Sequence, residues 1–366
     1  MLRVIGVTFD HRTNYGSLFQ AYALKRTIEQ MKVDGGCDYR LIPLWLMPHH
    51  GGPKPSVPQA VYMAAYEKLH TPPFKEFEEK YMAYADCRSL KELDALNDQA
   101  DVFVCGSDVI WNTDITHGSG VWYLDFARKY KFAYAASFGK AAAGEPDEQT
   151  KEWLRQLDDI SCREKSGSEM LQRIVGRPVS VSVDPVFLMR RKEWEELIRP
   201  EDMPARKHYI FAYNTYMDPN YEAFLKKLSE ETSLPVIRTT WTLKNSLRQK
   251  MLTVPGPQQW LTMLAGADYV VTNSFHGTGF SILFHKKFFS VVPGGEKRGS
   301  NGRLYEVLRR TSLTDRLIGT VPGKIDTSPA DFTAADEAVE EMRAESLVYL
   351  HRNLEAAYRR KQDDRQ

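Results

Sequence analysis

Short, apolar, β-prone runs alternate with amphipathic helical stretches along this chain, and the alternation runs through twice. Val4–Phe9 reads as a strand, and Leu18, Ala21, Leu24, Ile28 and Met31 follow it at helical spacing. Tyr39–Trp45, Val102–Cys105, Phe132–Ala136, Ile160–Cys162 and Val179–Val183 continue the first set of strands, with helices over Glu148–Leu157 and from about 165 to Ile174. A second set follows at Tyr209–Tyr213, Val236–Thr239, Tyr269–Thr272 and Phe288–Val292, interleaved with helices over Asn220–Thr232, Gln258–Ala265 and Gly277–Phe284. Strands joined through helices pair in parallel, because a parallel connection needs a crossover of about a dozen residues or more. The expected fold class is therefore α/β, with two mostly parallel sheets covered by helices.

The boundary between the two sets falls in the charged stretch 190–207, which contains Pro200 and Pro204. The expected division is an N-terminal domain over 1–198, a C-terminal domain over 199–330, and a segment over 331–366. That last segment reads as a long charged helix from about Ala334 to Lys361 that packs back on the first domain. Two other stretches read as loops. One is 46–58, with His49, His50 and several prolines; the other carries Gly294, Gly295, Gly299 and Gly302 together with Lys297, Arg298 and Arg303.

A chain of 366 residues exceeds one ordinary core, which agrees with two domains. With 42% hydrophobic and 27% charged residues it is a folding globular chain, and a net charge of +1 gives no general attraction to nucleic acid or acidic membranes. Any anion site must then be a local cluster. Cys37, Cys87, Cys105 and Cys162 form no CxxC pair, so free buried thiols are expected and no metal site. The N-terminus reads directly as a strand, and no apolar run reaches the ~18 residues of a spanning helix. A cytoplasmic protein that touches a membrane only from the side is the expectation.

In open α/β sheets, ligands bind beyond the carboxyl ends of the strands. The chemistry-bearing residues fall there. Asn14, Tyr15, Gly16 and Ser17 follow the first strand, and Ser107 and Asp108 follow Val102–Cys105. Arg163 and Glu164 follow Ile160–Cys162, while Ser274, His276 and Gly277 follow Tyr269–Thr272. Gly16 lets a ligand approach the start of a helix, although Asn14 or Ser17 serves equally as a plain helix cap. A His at a strand-to-helix turn can bind an anion or move a proton, or simply cap or fill the core. The guanidinium of Arg163 suits a carboxylate or phosphate, or a salt bridge to Glu164. Tyr15, Trp111 and Trp122 can stack on a sugar or fill a core.

Six segments in order resemble the polysaccharide pyruvyl transferase family. They are Asn14-Tyr15-Gly16-Ser17-Leu18-Phe19-Gln20-Ala21-Tyr22-Ala23-Leu24, Gly106-Ser107-Asp108-Val109-Ile110-Trp111-Asn112 and Ala135-Ala136-Ser137-Phe138-Gly139. Then come Arg163-Glu164-Lys165-Ser166-Gly167, Asp184-Pro185, and Thr272-Asn273-Ser274-Phe275-His276-Gly277-Thr278-Gly279-Phe280-Ser281-Ile282-Leu283. The resemblance covers residues 4 to about 310. It implies a GT-B-like fold, with two Rossmann-like domains facing across a cleft and the last helix returning to the first.

It also implies a reaction in which phosphoenolpyruvate, a co-substrate rather than a cofactor, gives its pyruvyl group to a sugar and releases phosphate. By motif position, His276, Arg163, Asp108 and Glu164 are the implied catalytic residues. Arg163, Ser274, His276, Gly277, Lys297 and Arg298 are assigned to the donor; Asn14, Tyr15, Gly16, Ser17, Ser107 and Asp108 are assigned to the acceptor. The chain departs from the family's pattern at Ser17, where Asp is usual, at Ser274, where Arg is usual, and at Val109, where many relatives have Gln. The proton donor is therefore open among Asp10, Asp108, Glu164 and protonated His276. The expected partners are a small anionic donor and a glycan acceptor, free or lipid-linked, with no nucleic acid. A nucleotide-sugar glycosyltransferase and a catalytically silent glycan-binding module are the competing readings.

Overall fold

The structure is a computed structural model that describes residues 1–10, 14–43, 68, 71–139, 145–239, 255–293 and 302–364. Its first half contains β1 (Leu2–Val7), α1 (Tyr15–Gln30), β2 (Cys37–Leu41), α2 (Pro72–Tyr81), β3 (Val102–Cys105), β4 (Tyr130–Ala136), α3 (Glu148–Arg155), β5 (Asp159–Cys162), α4 (Lys165–Val175) and β6 (Ser180–Val181). The second half contains β7 (Ile210–Tyr213), α5 (Pro219–Thr232), β8 (Val236–Thr239), α6 (Pro257–Gly266), β9 (Tyr269–Thr272), α7 (Phe275–Leu283), β10 (Lys287–Val291), α8 (Gly302–Arg310), β11 (Leu317–Ile318) and α9 (Thr333–Asp363).

The strands form a six-stranded sheet in the order β2-β1-β3-β4-β5-β6 and a five-stranded sheet in the order β11-β10-β9-β7-β8. All pairings between these strands are parallel. Each sheet starts in its interior and reverses direction once, between β1 and β3 in the first and between β7 and β9 in the second. Those reversals open crevices beyond the strand ends, where ligands of such sheets bind. The Asp108 loop and the His276 turn each lie at one of them.

One apolar cluster runs through both sheets. Phe19 of α1 meets Phe280 of α7 at 5.3 Å between ring centroids, and Trp194 meets Phe280 at 4.8 Å. Tyr15 stacks on Trp260 of α6 at 5.1 Å. These edge-to-face and stacked pairs join α1 to the second sheet's helices, so the two halves pack against each other on this side. The last helix returns to the first sheet, as the resemblance implied. Tyr349 Oη donates to Ala133 O at 2.8 Å, and Asn353 accepts from Tyr130 Oη at 2.9 Å.

Most strand and helix positions read from the sequence are found within a few residues. Residues 302–310 differ: the glycine-rich stretch expected as loop ends in helix α8, whose Leu304, Val307 and Leu308 are buried. The other glycines of that stretch, with Lys297 and Arg298, lie outside the described residues, as do His49 and His50. All four cysteines are free and buried. Among the described residues no helix is long and apolar enough to cross a membrane, and no group of His, Cys, Asp and Glu is arranged to hold a metal.

Candidate functional site

The site begins with β5. Its end delivers Arg163, whose backbone N–H still pairs with Ala136 O at 3.2 Å, and the next residue caps α4. The side chain is 4% exposed. Its Nη1 donates to Asp184 Oδ2 at 2.6 Å, and its Nε donates to Glu164 Oε1 at 3.4 Å. Its Nη2 lies 3.9 Å from Asp108 Oδ1 and has no hydrogen-bond partner among the described residues. The plane of the group rests on the Phe275 ring at 4.9 Å. Burial works against this cation, but Glu164, Asp184 and Asp108 hold its pKa above the ordinary arginine value.

The carboxylates are each fixed by a second contact. Ser17 Oγ donates to Asp108 Oδ2 at 3.0 Å, and Ser137 Oγ donates to Glu164 Oε1 at 2.6 Å. Asp184 caps the short turn at Pro185–Phe187 by accepting from Val186 N at 3.1 Å. Asp108 has φ of 67°, a left-handed conformation that costs a non-glycine residue about 1 kcal/mol or more. It places the carboxylate back toward the first crevice, and Oδ1 accepts from Val109 N at 2.8 Å.

From the second sheet, Ser274 caps α7 by accepting from Gly277 N at 3.4 Å, and Thr272 Oγ1 accepts from Ser274 N at 3.0 Å. This double cap sets His276 in the first turn, 7% exposed, with Nε2 3.4 Å from Asp184 Oδ2 but without a hydrogen bond to any described residue. A Cβ on Gly16 would overlap His276 Nδ1. Gly16 is therefore the residue that lets α1 of the first sheet press onto the histidine of the second. Asp184 bridges the same two halves. Burial alone would raise its pKa, but His276 and then Arg163 outweigh that and hold it at about 2.

This carboxylate gives a pH prediction. It binds its proton less readily folded, at about 2, than an ordinary aspartate does, at 3.8. Its stabilisation is thus fully present above about pH 4 and is lost as pH falls through 2, on the order of 2 kcal/mol in all. Urea unfolding of wild type and Asp184→Asn at pH 5, 4, 3 and 2 should show the wild-type advantage shrinking across that window. A gap that stays constant with pH would remove the role assigned to Asp184.

Beside Arg163 a partly open cavity is lined by Glu164, Asp184, Phe275, Arg303 and Arg310, among others. His276 and Asp108 adjoin it through Asp184 and Arg163. The structure thus gathers Ser17, Asp108, Arg163, Glu164 and His276 from the sequence-derived set. Three residues assigned to the acceptor have their polar groups engaged elsewhere. Tyr15 is fully buried, packed among Phe74, Tyr213 and Trp260, and its hydroxyl donates to Pro255 O at 2.7 Å. Ser107 is also fully buried, with its hydroxyl bonded to Ala135 O at 2.9 Å. Neither presents a free group to an acceptor. Asn14 is the plain cap of α1, accepting from Gly16 N and Ser17 N at 3.1 and 3.3 Å, so that helix end is already satisfied. Trp111 and Trp122 are buried too, and Trp111 Nε1 donates to Trp122 O at 3.1 Å.

Sequence reasoning missed Ser137, Asp184 and Arg303. Asp184 had a signal, a carboxylate at a strand end just before proline. Arg303 had none, because its place depends on a helix that the flanking glycines concealed.

Among solved structures, the chain is similar to S. aureus MnaA with UDP, at 11% identity over 97% of this chain and 91% of that one, TM-score 0.53. It is likewise similar to a putative UDP-N-acetylglucosamine 2-epimerase from Listeria monocytogenes, at 10% identity over 97% and 89%, TM-score 0.50. At such identity the likeness shows the GT-B-like fold alone. No curated protein matches the chain significantly. The family model for polysaccharide pyruvyl transferase matches residues 14–294, which include Ser17, Asp108, Arg163, Glu164, Asp184 and His276. The chain belongs to the polysaccharide pyruvyl transferase family.

Proposed function

We propose that this protein transfers the pyruvyl group of phosphoenolpyruvate to two hydroxyls of a polysaccharide sugar, forming a pyruvate ketal and releasing phosphate. The observation that carries the reading is Arg163. It is a buried guanidinium with one nitrogen that hydrogen-bonds no described residue, beside a partly open cavity that Glu164 and Asp184 also line. A buried N–H group left without a hydrogen bond is costly, and an oxygen of a small anion satisfies it.

The chemistry needs a proton for the donor's methylene carbon and a base for the attacking hydroxyl. Glu164 lines the cavity and is the carboxyl best placed to give the proton. As C3 takes that proton, the sugar oxygen bonds to C2, and its own proton passes to the ionised carboxylate or to His276. The C2–O bond to phosphate then breaks, a second hydroxyl closes the ring on C2, and its proton leaves with the phosphate. Arg163 balances the charge of the donor throughout, and His276 bonds it through the free Nε2.

The test is phosphate release from phosphoenolpyruvate with a panel of glycan acceptors, run on wild type and His276→Ala together. Acceptor-dependent release, lowered about 100-fold or more in the variant, is expected. No release, together with a thermal shift by nucleotide sugars and none by phosphoenolpyruvate, would replace this reading with a glycosyltransferase. Glycan binding without turnover of either donor would make the protein a silent binding module.

A further inference from the structure

The donor site as assembled from β5, the Asp184 turn and α7 has a charge problem. Three carboxylates, Asp108, Glu164 and Asp184, surround the one guanidinium of Arg163. The α7 turn adds only His276, because Ser274 is an uncharged cap. Such a cluster repels a phosphorylated carboxylic acid, which bears two negative charges or more near pH 7. A further cation is needed at the cavity wall.

Helix α8 supplies it. Arg303, Glu306, Val307 and Arg310 all line the cavity, and their spacing puts them on one helix face. Val307 is buried, which orients this face inward. Arg303 makes no ion pair with a described carboxylate. Its electrostatic neighbours are Arg163, then Glu164, Asp108 and Asp184, and burial together with Arg163 lowers its pKa below the ordinary value. Two guanidiniums thus share one cavity wall, and one of them keeps a buried nitrogen with no partner. Like charges held together at some cost in the empty site are stabilised when a dianion lies between them.

We propose that Arg303 is the second guanidinium of the donor site and that it grips the phosphate of the donor jointly with Arg163. The identity of that donor as phosphoenolpyruvate rests on the function proposed above. The phosphate, with its greater charge and three outer oxygens, takes the two-guanidinium position. The carboxylate of the donor is left to His276 and the cap of α7.

Binding to the full chain separates this inference from the reading it rests on. Wild type, Arg303→Gln and Arg303→Lys are titrated calorimetrically with phosphoenolpyruvate, inorganic phosphate and pyruvate, and unliganded melting is measured in parallel. Arg303→Gln should weaken phosphoenolpyruvate and phosphate by about 10- to 100-fold each and pyruvate by less than about threefold, with Arg303→Lys in between. The unliganded Gln variant should melt no lower than wild type, since it removes a cation held beside another. If wild type binds phosphoenolpyruvate and Arg303→Gln binds it equally, the role of Arg303 is wrong and the pyruvyl reading stands. If wild type binds phosphate but not phosphoenolpyruvate, and the Gln variant loses phosphate, Arg303 stands and the donor is a different phosphate. Absence of binding by wild type to all three overturns both.

Discussion

Arg163→Met should unfold at markedly lower urea than wild type, with a loss of about 3–5 kcal/mol, and should release phosphate from phosphoenolpyruvate at least ~100-fold more slowly. Both effects come from one group. Methionine fills much of the same volume, so packing on Phe275 is largely kept. What disappears is the cation that compensates Asp184, whose side chain is fully buried, and that neighbours Asp108 and Glu164. Removing one partner of a buried pair leaves the other desolvated and unpaired, which costs far more than the pair was worth as a bond. Arg163→Lys keeps the charge but loses the fork that reaches Asp184 and Glu164 at once, so it should recover most of the stability and little of the rate. The double variant Arg163→Met, Asp184→Asn should regain part of the lost stability, because the orphaned charge is gone with its partner. Equal stability of wild type and Arg163→Met would show that this ion pair does not support the fold.

Gly16→Ala is the smallest change with a large expected effect. The added methyl group would overlap the imidazole of His276, which is itself fixed by the double cap of α7. Either the ring rotates away from Asp184 or α1 moves off the second sheet, and the aromatic pairs of Phe19 and Tyr15 resist the second course. Displacing the ring should lower transfer by about 10- to 100-fold, since a misplacement near 1 Å can cost that much. The stability cost should be about 1–3 kcal/mol, as for other overpacked contacts. The cycle with His276→Ala identifies the cause. In that background the ring it overlaps is gone, so the stability cost of Gly16→Ala should fall to within about 0.5 kcal/mol of zero. A cost unchanged by His276→Ala would place the strain in the helix and not against the histidine.

The double run of strand and helix, the parallel sheets and the returning last helix were legible in the chain, because hydrophobic periodicity and turn residues act over a few neighbours and survive in one dimension. The strand-end rule also picked out Arg163, Asp108, Glu164, Ser17 and His276 correctly as residues brought together, since topology alone puts those loops on one side of each sheet. The placements that were not legible share a cause. Tyr15 and Ser107 have residue types common at sites, and sequence position could not say that one faces an interdomain aromatic cluster and the other a neighbouring strand. Arg303 was read as part of a loop, because four glycines near it outweigh a helix only nine residues long.

Local sequence thus determined the elements, their order and the end of each sheet where chemistry can occur. Only the tertiary structure decided which partners each charge has. Gly16 against His276 and Arg163 on Asp184 are contacts between residues 260 and 21 positions apart, respectively. The cost or gain of a buried charge depends on what surrounds it within a few ångströms, and that is fixed when the two sheets pack, not by the residues beside it in the chain.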